Sequence, residues 1–152
     1  MTHPLYILNE IKVSYTSHLE PEDRMKIGRP LDSYNALLSV WNMDTIDLYE
    51  EMKVMMLDTS SRVIGVFNHS TGSSAGVAVD SKLIFATALK ANAQSIVLAH
   101  NHPSGNLNPS HADREITHRL IECGKMLELP VVDHIIVSRK GFYSFVDNDA
   151  MY

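Results

Sequence analysis

Apolar residues recur along this chain with two different periods, and the switches between them mark out its elements. Residues 5–15 (LYILNEIKVSY) partly alternate apolar with polar positions and include β-branched residues, which predicts a strand. Residues 18–30 hold Pro21, Gly28 and Pro30 among charges and predict a loop. Asp32 and Ser33 offer capping oxygens ahead of residues 34–41 (YNALLSVW), a short helix on which Leu37, Leu38 and Trp41 share a face, with Trp41 as core filler.

Residues 50–57 (EEMKVMML) and 62–67 (RVIGVF) flank the polar tetrad Asp58-Thr59-Ser60-Ser61, the signature of a hairpin. Residues 68–76 (NHSTGSSAG) then form a turn and residues 77–79 a short strand. Helical spacing returns in residues 81–93, where Leu83, Ile84, Thr87, Ala88 and Ala91 recur. Residues 95–99 are continuously apolar, the pattern of a strand buried on both faces. Pro103, Gly105 and Pro109 force a loop, and Ser110 opens a helix to about residue 127 with Ile116, Leu120, Cys123 and Leu127 on one side. Residues 131–138 and 142–146 are strands about the turn Arg139-Lys140-Gly141. Strands alternating with helices, and hairpins near both ends, predict an α/β or α+β sandwich with a mixed sheet and flanking helices.

At 152 residues the chain has the length of one domain that can bury a core without disulfides. Its formal net charge of −5 argues against a surface built to neutralise phosphates, although a local basic patch remains compatible with it. The single cysteine, Cys123, has no internal partner and reads as a small buried hydrophobe, in keeping with a reducing compartment. With no signal peptide, lipidation motif or apolar run near 18 residues, the expectation is a soluble, cytoplasmic protein without a membrane segment.

Chemistry concentrates in residues 100–113, HNHPSGNLNPSHAD. His100 and His102 leave a strand two residues apart, so both side chains can point the same way, about 6–7 Å apart along an extended backbone. Asp113 follows eleven residues after His102. Two imidazoles and a carboxylate suit a divalent metal, Zn2+ first, and leave a fourth tetrahedral position for water, the pattern of a catalytic rather than a structural site. Ser110-x-x-Asp113 also has the form of a capping box, which needs no metal. A metal hydrolase further requires a base, and Glu10, Glu50, Glu51, Asp58, Asp80 and Glu115 all compete for that part on spacing alone.

The run LAHNHPSGNLNPSHAD, followed by VVDHIIVS, resembles the RadC-like branch of the JAB/MPN (JAMM motif) metalloenzyme superfamily. The shared motif is H-x-H-P, seven residues between the second histidine and a serine, then S-x-x-D, with a glutamate upstream. His100, His102, Ser110 and Asp113 match it without a gap, and the resemblance extends over residues 50–146. It implies a cytidine-deaminase-like fold and zinc held by His100, His102 and Asp113. It further implies that Glu50 hydrogen-bonds the catalytic water and that Ser110 steadies the oxyanion of a tetrahedral intermediate. Glu51 should then face the other side of its strand.

The implied activity is zinc-dependent hydrolysis of an amide or isopeptide bond in a peptide or isopeptide substrate. The alternative is a non-catalytic or nucleic-acid-associated module in DNA repair or mobile-element maintenance. Asp133 and His134 either orient a ligand imidazole or form a structural core pair, the latter being the expectation, and His111 is expected to line the entrance. Two departures qualify the resemblance. Ser81-Lys82 stands where the family carries Pro-Arg, and residues 1–49 lack the glycine hairpins of the family's helix-hairpin-helix domain. The organisation expected is a single globular unit: residues 1–49 as a strand, loop and short helix packed on the core, and residues 50–152 as the RadC-like JAB/MPN domain.

Overall fold

A computed structural model of the chain describes residues 9, 11, 12, 14–74 and 76–152. Its framework is a mixed five-stranded sheet of β1 (Glu51–Leu57), β2 (Val63–Thr71), β3 (Ser95–Asn101), β4 (Val131–Ser138) and β5 (Gly141–Ser144). Three helices flank it: α1 (Pro30–Ser39), α2 (Ser81–Lys90) and α3 (His111–Met126). The strand order is β2-β1-β3-β4-β5. β1 runs antiparallel to β2 and β3, β3 and β4 are parallel with α3 as the crossover, and β5 closes as a hairpin on β4.

Side-chain alternation divides the core into two layers. Met52, Val54 and Met56 of β1 and Ile96 and Leu98 of β3 pack with Ile84, Phe85 and Ala88 of α2 and with Leu120 of α3. On the other face, Met55, Leu57, Val97, Ala99, Ile135 and Val137 pack with Ala36 and Leu37 of α1 and with Trp41. β3 lies between β1 and β4, so its residues from Ile96 to Asn101 are all buried, as its unbroken apolar run requires. Trp41 is core filler, and its ring also carries the Lys53 ammonium 4.8 Å from the centroid.

α2 ends at Lys90, three residues before its expected end, and β3 runs on to Asn101, two residues past its own. Four further elements differ from the pattern-based expectation for a local reason. α1 begins at Pro30 rather than near residue 34. Proline suits the first helical position because its missing N–H would have no partner there. Asp32 is the third helical residue and reaches back to accept from the N–H groups of Gly28 and Arg29, at 3.0 Å each. β2 runs on to Thr71, through residues expected to be a turn, because β1 supplies a ladder partner as far as Glu51. Residues 77–79 form a connector and not a strand. Side chains take the backbone groups there: Ser70 Oγ donates to Ala78 O at 2.6 Å, and the Asp80 N–H donates to His69 Nε2 at 2.9 Å. The last strand ends at Ser144, two residues early, where Phe145 N–H donates to His134 O. The strand expected over residues 5–15 falls mostly outside the described residues, and those described there lie in no strand.

Candidate metal centre

The site forms where β3 ends and α3 begins. β3 is registered between Met52 of β1 and Ile136 of β4 at His100, so that imidazole projects from a rigid central strand onto the α2/α3 side. His102 follows one residue beyond the strand. The chain then turns back through Gly105, whose φ of +76° suits a residue without a Cβ, and whose N–H donates to His102 O at 2.9 Å. This turn brings Asn106 O to 2.6 Å from His102 Nδ1. Asp113 enters from the first turn of α3. Ser110 Oγ caps that helix by accepting from Asp113 N–H at 3.1 Å, while Asp113 Oδ2 accepts from Ser110 N–H at 2.7 Å.

These constraints bring three ligand side chains together. His100 Nε2 and His102 Nε2 lie 2.9 Å apart, and the Asp113 oxygens lie 3.2 Å from the first and 3.3 Å from the second. Atoms bound at the usual 2.0–2.1 Å to one tetrahedral ion stand about 3.3 Å from one another, so the spacing fits a metal. The protons fit as well. Asn106 O can only accept, so His102 carries its proton on Nδ1 and, when neutral, turns a bare Nε2 into the centre. His100, His102 and Asp113 thus form a group that could hold a metal ion.

Electrostatics support an anion at Asp113. Burial works against its charge, but the imidazoles of His100 and His102 and the Ser110 N–H outweigh it and hold the carboxyl far below the usual range. Burial pushes Glu50 up, partly offset by the two histidines. His102 is raised, chiefly by its hydrogen bond to Asp113.

The centre opens into a cavity of about 180 Å³ lined by Glu50, Met52, His100, His102, Ser110 and Asp113, among others. Of the acids that compete on spacing, Glu50 is the one on this wall among the described residues. Glu51 faces the opposite layer, with Oε1 3.6 Å from Lys53 Nζ. Asp58 holds the β1–β2 turn, Asp80 caps α2, and Glu115 is solvent-exposed beside His111. Glu10 lies outside the described residues. His111 does not line the entrance: it points to solvent and meets Glu115 Oε1 at 3.3 Å. As a helix's first residue, it projects away from the face that carries Asp113.

Two residues near the centre carried no signal of their own in the sequence. Asn101, fully buried between the two histidines in sequence, accepts from Glu51 N–H at 2.7 Å. Its amide donates to Ile46 O at 2.7 Å and Tyr49 O at 2.9 Å, which fixes the segment leading into Glu50. Thr117, one turn beyond Asp113, contacts His134 Nδ1 at 2.6 Å, and His134 Nε2 in turn lies 2.8 Å from His100 Nδ1. Asp133 points to the other layer, where Ser144 Oγ donates to it at 2.7 Å and its neighbour His134 N–H at 2.7 Å.

Comparison with known proteins assigns the fold that carries this centre to a family. A family model described as a RadC-like JAB domain matches residues 28–150, and the chain belongs to that family. The match includes α1 as well as the sheet and the centre. The UPF0758 protein of Flavobacterium johnsoniae is 42% identical over 126 residues, which are 83% of this chain and 55% of the relative. The UPF0758 protein of Thermotoga maritima is 45% identical over 96 residues, 63% of this chain and 43% of the relative. The chain therefore spans about half the length of the curated relatives it matches. No helix among the described residues is long and apolar enough to cross a membrane.

Proposed function

We propose that this chain is a zinc-dependent hydrolase that cleaves an amide or isopeptide bond in a peptide substrate. The observation that carries the reading is the cluster of His100 Nε2 and His102 Nε2, 2.9 Å apart, with Asp113 Oδ1 3.2 Å from the first and Asp113 Oδ2 3.3 Å from the second, beside a cavity walled by Glu50. Bound zinc would supply a Lewis acid that polarises a carbonyl and brings water towards ionisation at neutral pH.

The chain's own residues supply the rest. Burial beside the centre raises the proton affinity of Glu50, which suits a group that takes a proton from water and returns it to the leaving amine. The helix cap uses Ser110 Oγ as an acceptor only, so its hydroxyl hydrogen is left to donate to negative charge developing on a substrate oxygen. His100, His102 and Asp113 would hold the metal while the loop through Gly105 keeps His102 in place.

The test is metal analysis of the purified protein, followed by screening of peptide, isopeptide and nucleic-acid substrates. Glu50→Gln is expected to keep the metal and to lose hydrolysis by at least about 100-fold, the usual range for removing a general base. His102→Ala is expected to lose both. Cleavage that persists unchanged in Glu50→Gln would exclude Glu50 as the base, and metal-free wild-type protein that hydrolyses equally well would exclude the reading as a whole.

A further inference from the structure

His100 is the one ligand of the centre whose outer nitrogen meets another side chain and not the backbone, and that side chain is itself held by a third. The hydrogens of this chain of contacts can be counted. Thr117 Oγ1 lies 2.6 Å from Asp113 O, one turn earlier on α3. A carbonyl can only accept, so the single hydroxyl hydrogen of Thr117 is spent there. The second contact of the same oxygen, 2.6 Å to His134 Nδ1, must then be made by a hydrogen on the ring.

His134 is 1% exposed and stacks on Phe145 with ring centroids 4.8 Å apart, with no carboxylate bonded to its ring, so it holds one proton. With that proton on Nδ1, its Nε2 is an acceptor, and the 2.8 Å contact to His100 Nδ1 requires His100 to donate. His100 Nε2 is left bare, facing His102 and Asp113.

We propose that Thr117 and His134 are positioning residues that fix the tautomer of His100, so that the nitrogen facing the centre carries a lone pair ready for a metal. The relay runs from the Asp113 main-chain oxygen through Thr117 and His134 to His100, crossing α3, β4 and β3, and leaves the bare His100 Nε2 3.2 Å from the Asp113 side chain, two acceptors that a metal would join. It ties the orientation of the strand-borne ligand to that of the helix-borne one. Histidine ligands of metals are commonly oriented by a carboxylate or a carbonyl on the outer nitrogen, and loss of such a partner typically weakens metal binding 10–100-fold. Here a neutral histidine does the work, and an imidazole can accept or donate. It selects one tautomer only because the threonine has already decided which of its nitrogens is protonated.

The inference rests on the reading of His100, His102 and Asp113 as metal ligands, yet its first test needs no metal. In metal-free protein with 15N-labelled histidine, at about pH 8 and so above the ordinary histidine range, His100 and His134 are expected to carry their protons on Nδ1. Thr117→Val removes the acceptor for the His134 Nδ1–H. His134 is then expected to move its proton to Nε2 and to drive that of His100 to Nε2, with zinc affinity falling 10–100-fold by chelator competition. Thr117→Ser restores the hydroxyl and is expected to restore both the nitrogen shifts and the affinity, which general repair of packing would not do.

Wild-type protein with the His100 proton on Nε2 overturns the relay, whatever the variants do. So does a Thr117→Val protein that keeps wild-type shifts and affinity. Wild-type protein with the expected tautomers but no zinc affinity supports the relay and refutes the metal reading instead.

Discussion

Glu50 and Asp58 flank β1 at its two ends and show how surroundings decide what a carboxylate does. Glu50 is partly buried against the centre, and burial raises its proton affinity. At Asp58 burial also opposes the charge, but the N–H groups of Arg62 and Ser60 and the Arg24 guanidinium prevail and hold it below the usual range. A folded-state pKa below the unfolded one means stability that is present above about pH 4 and is lost as pH falls through the folded value. Asp58→Asn is therefore expected to lower stability by about 1 kcal/mol at pH 7, discounted for a partly solvated ion pair, with the difference from wild type fading as pH falls through the depressed folded value. Denaturant melts across that pH range check this, and a gap that does not change with pH would count against the charge as its cause.

The sequence proposed six acids for one part and had no physical ground for choosing Glu50 without the family resemblance. Side-chain alternation separates Glu50 from Glu51, but only the fold reveals which face looks onto the histidines.

At the scale of elements, the N-terminus of α3 serves two purposes with one reciprocal cap. Ser110 Oγ satisfies Asp113 N–H, and Ser110 N–H satisfies Asp113 Oδ2, which aims the same carboxylate at the imidazoles. The two halves separate experimentally because one is side chain and the other is backbone. Ser110→Ala is expected to cost about 1 kcal/mol of stability, the ordinary value of an N-cap. Zinc affinity is expected to change by no more than about threefold, since the charge-assisted N–H clamp on Asp113 survives. Thermal melts and chelator competition read the two quantities independently, and a large affinity loss would show that the hydroxyl itself orients Asp113. The capping box was legible from four residues of sequence, as was the helix it opens. The alternative reading as a metal ligand proved compatible with capping, because each oxygen of the carboxylate has more than one lone pair to offer.

For the whole molecule, the centre joins β3, the following loop and α3, with the position just before β1 supplying Glu50 and β4 supplying His134. A metal bound there bridges elements that separate on unfolding, so its binding energy adds to stability. With free zinc 100-fold above Kd the gain is about 2.7 kcal/mol, a rise in Tm of roughly 5–10 °C for a chain of this size. Stripping the metal with a chelator is expected to reverse the rise, and His102→Ala to abolish it in scanning calorimetry. Equal shifts in wild type and His102→Ala would place the stabilising zinc elsewhere.

The sheet order was beyond the reach of periodicity. Alternation identifies strands and buried faces, but β1 pairs with β3 across an intervening hairpin partner and helix, and nothing within either strand names its neighbour.

What the sequence determined by itself was local: the strand-to-loop-to-helix unit that carries His100, His102 and Asp113, the cap at Ser110, the hairpin at Asp58 and the doubly buried character of β3. Each follows from residue types within a few positions of one another, whose spacing the backbone converts directly into geometry. What only the tertiary structure decided was non-local. The face of β1 that makes Glu50 a wall of the cavity, the clamp of Asn101 on the segment before it, and the line of hydrogens from Thr117 through His134 to His100 join residues 17 to 55 positions apart. Such contacts depend on which strands become neighbours. Pairing is chosen by the burial of two whole core layers at once, a property of the chain's collective packing that no single stretch of it contains.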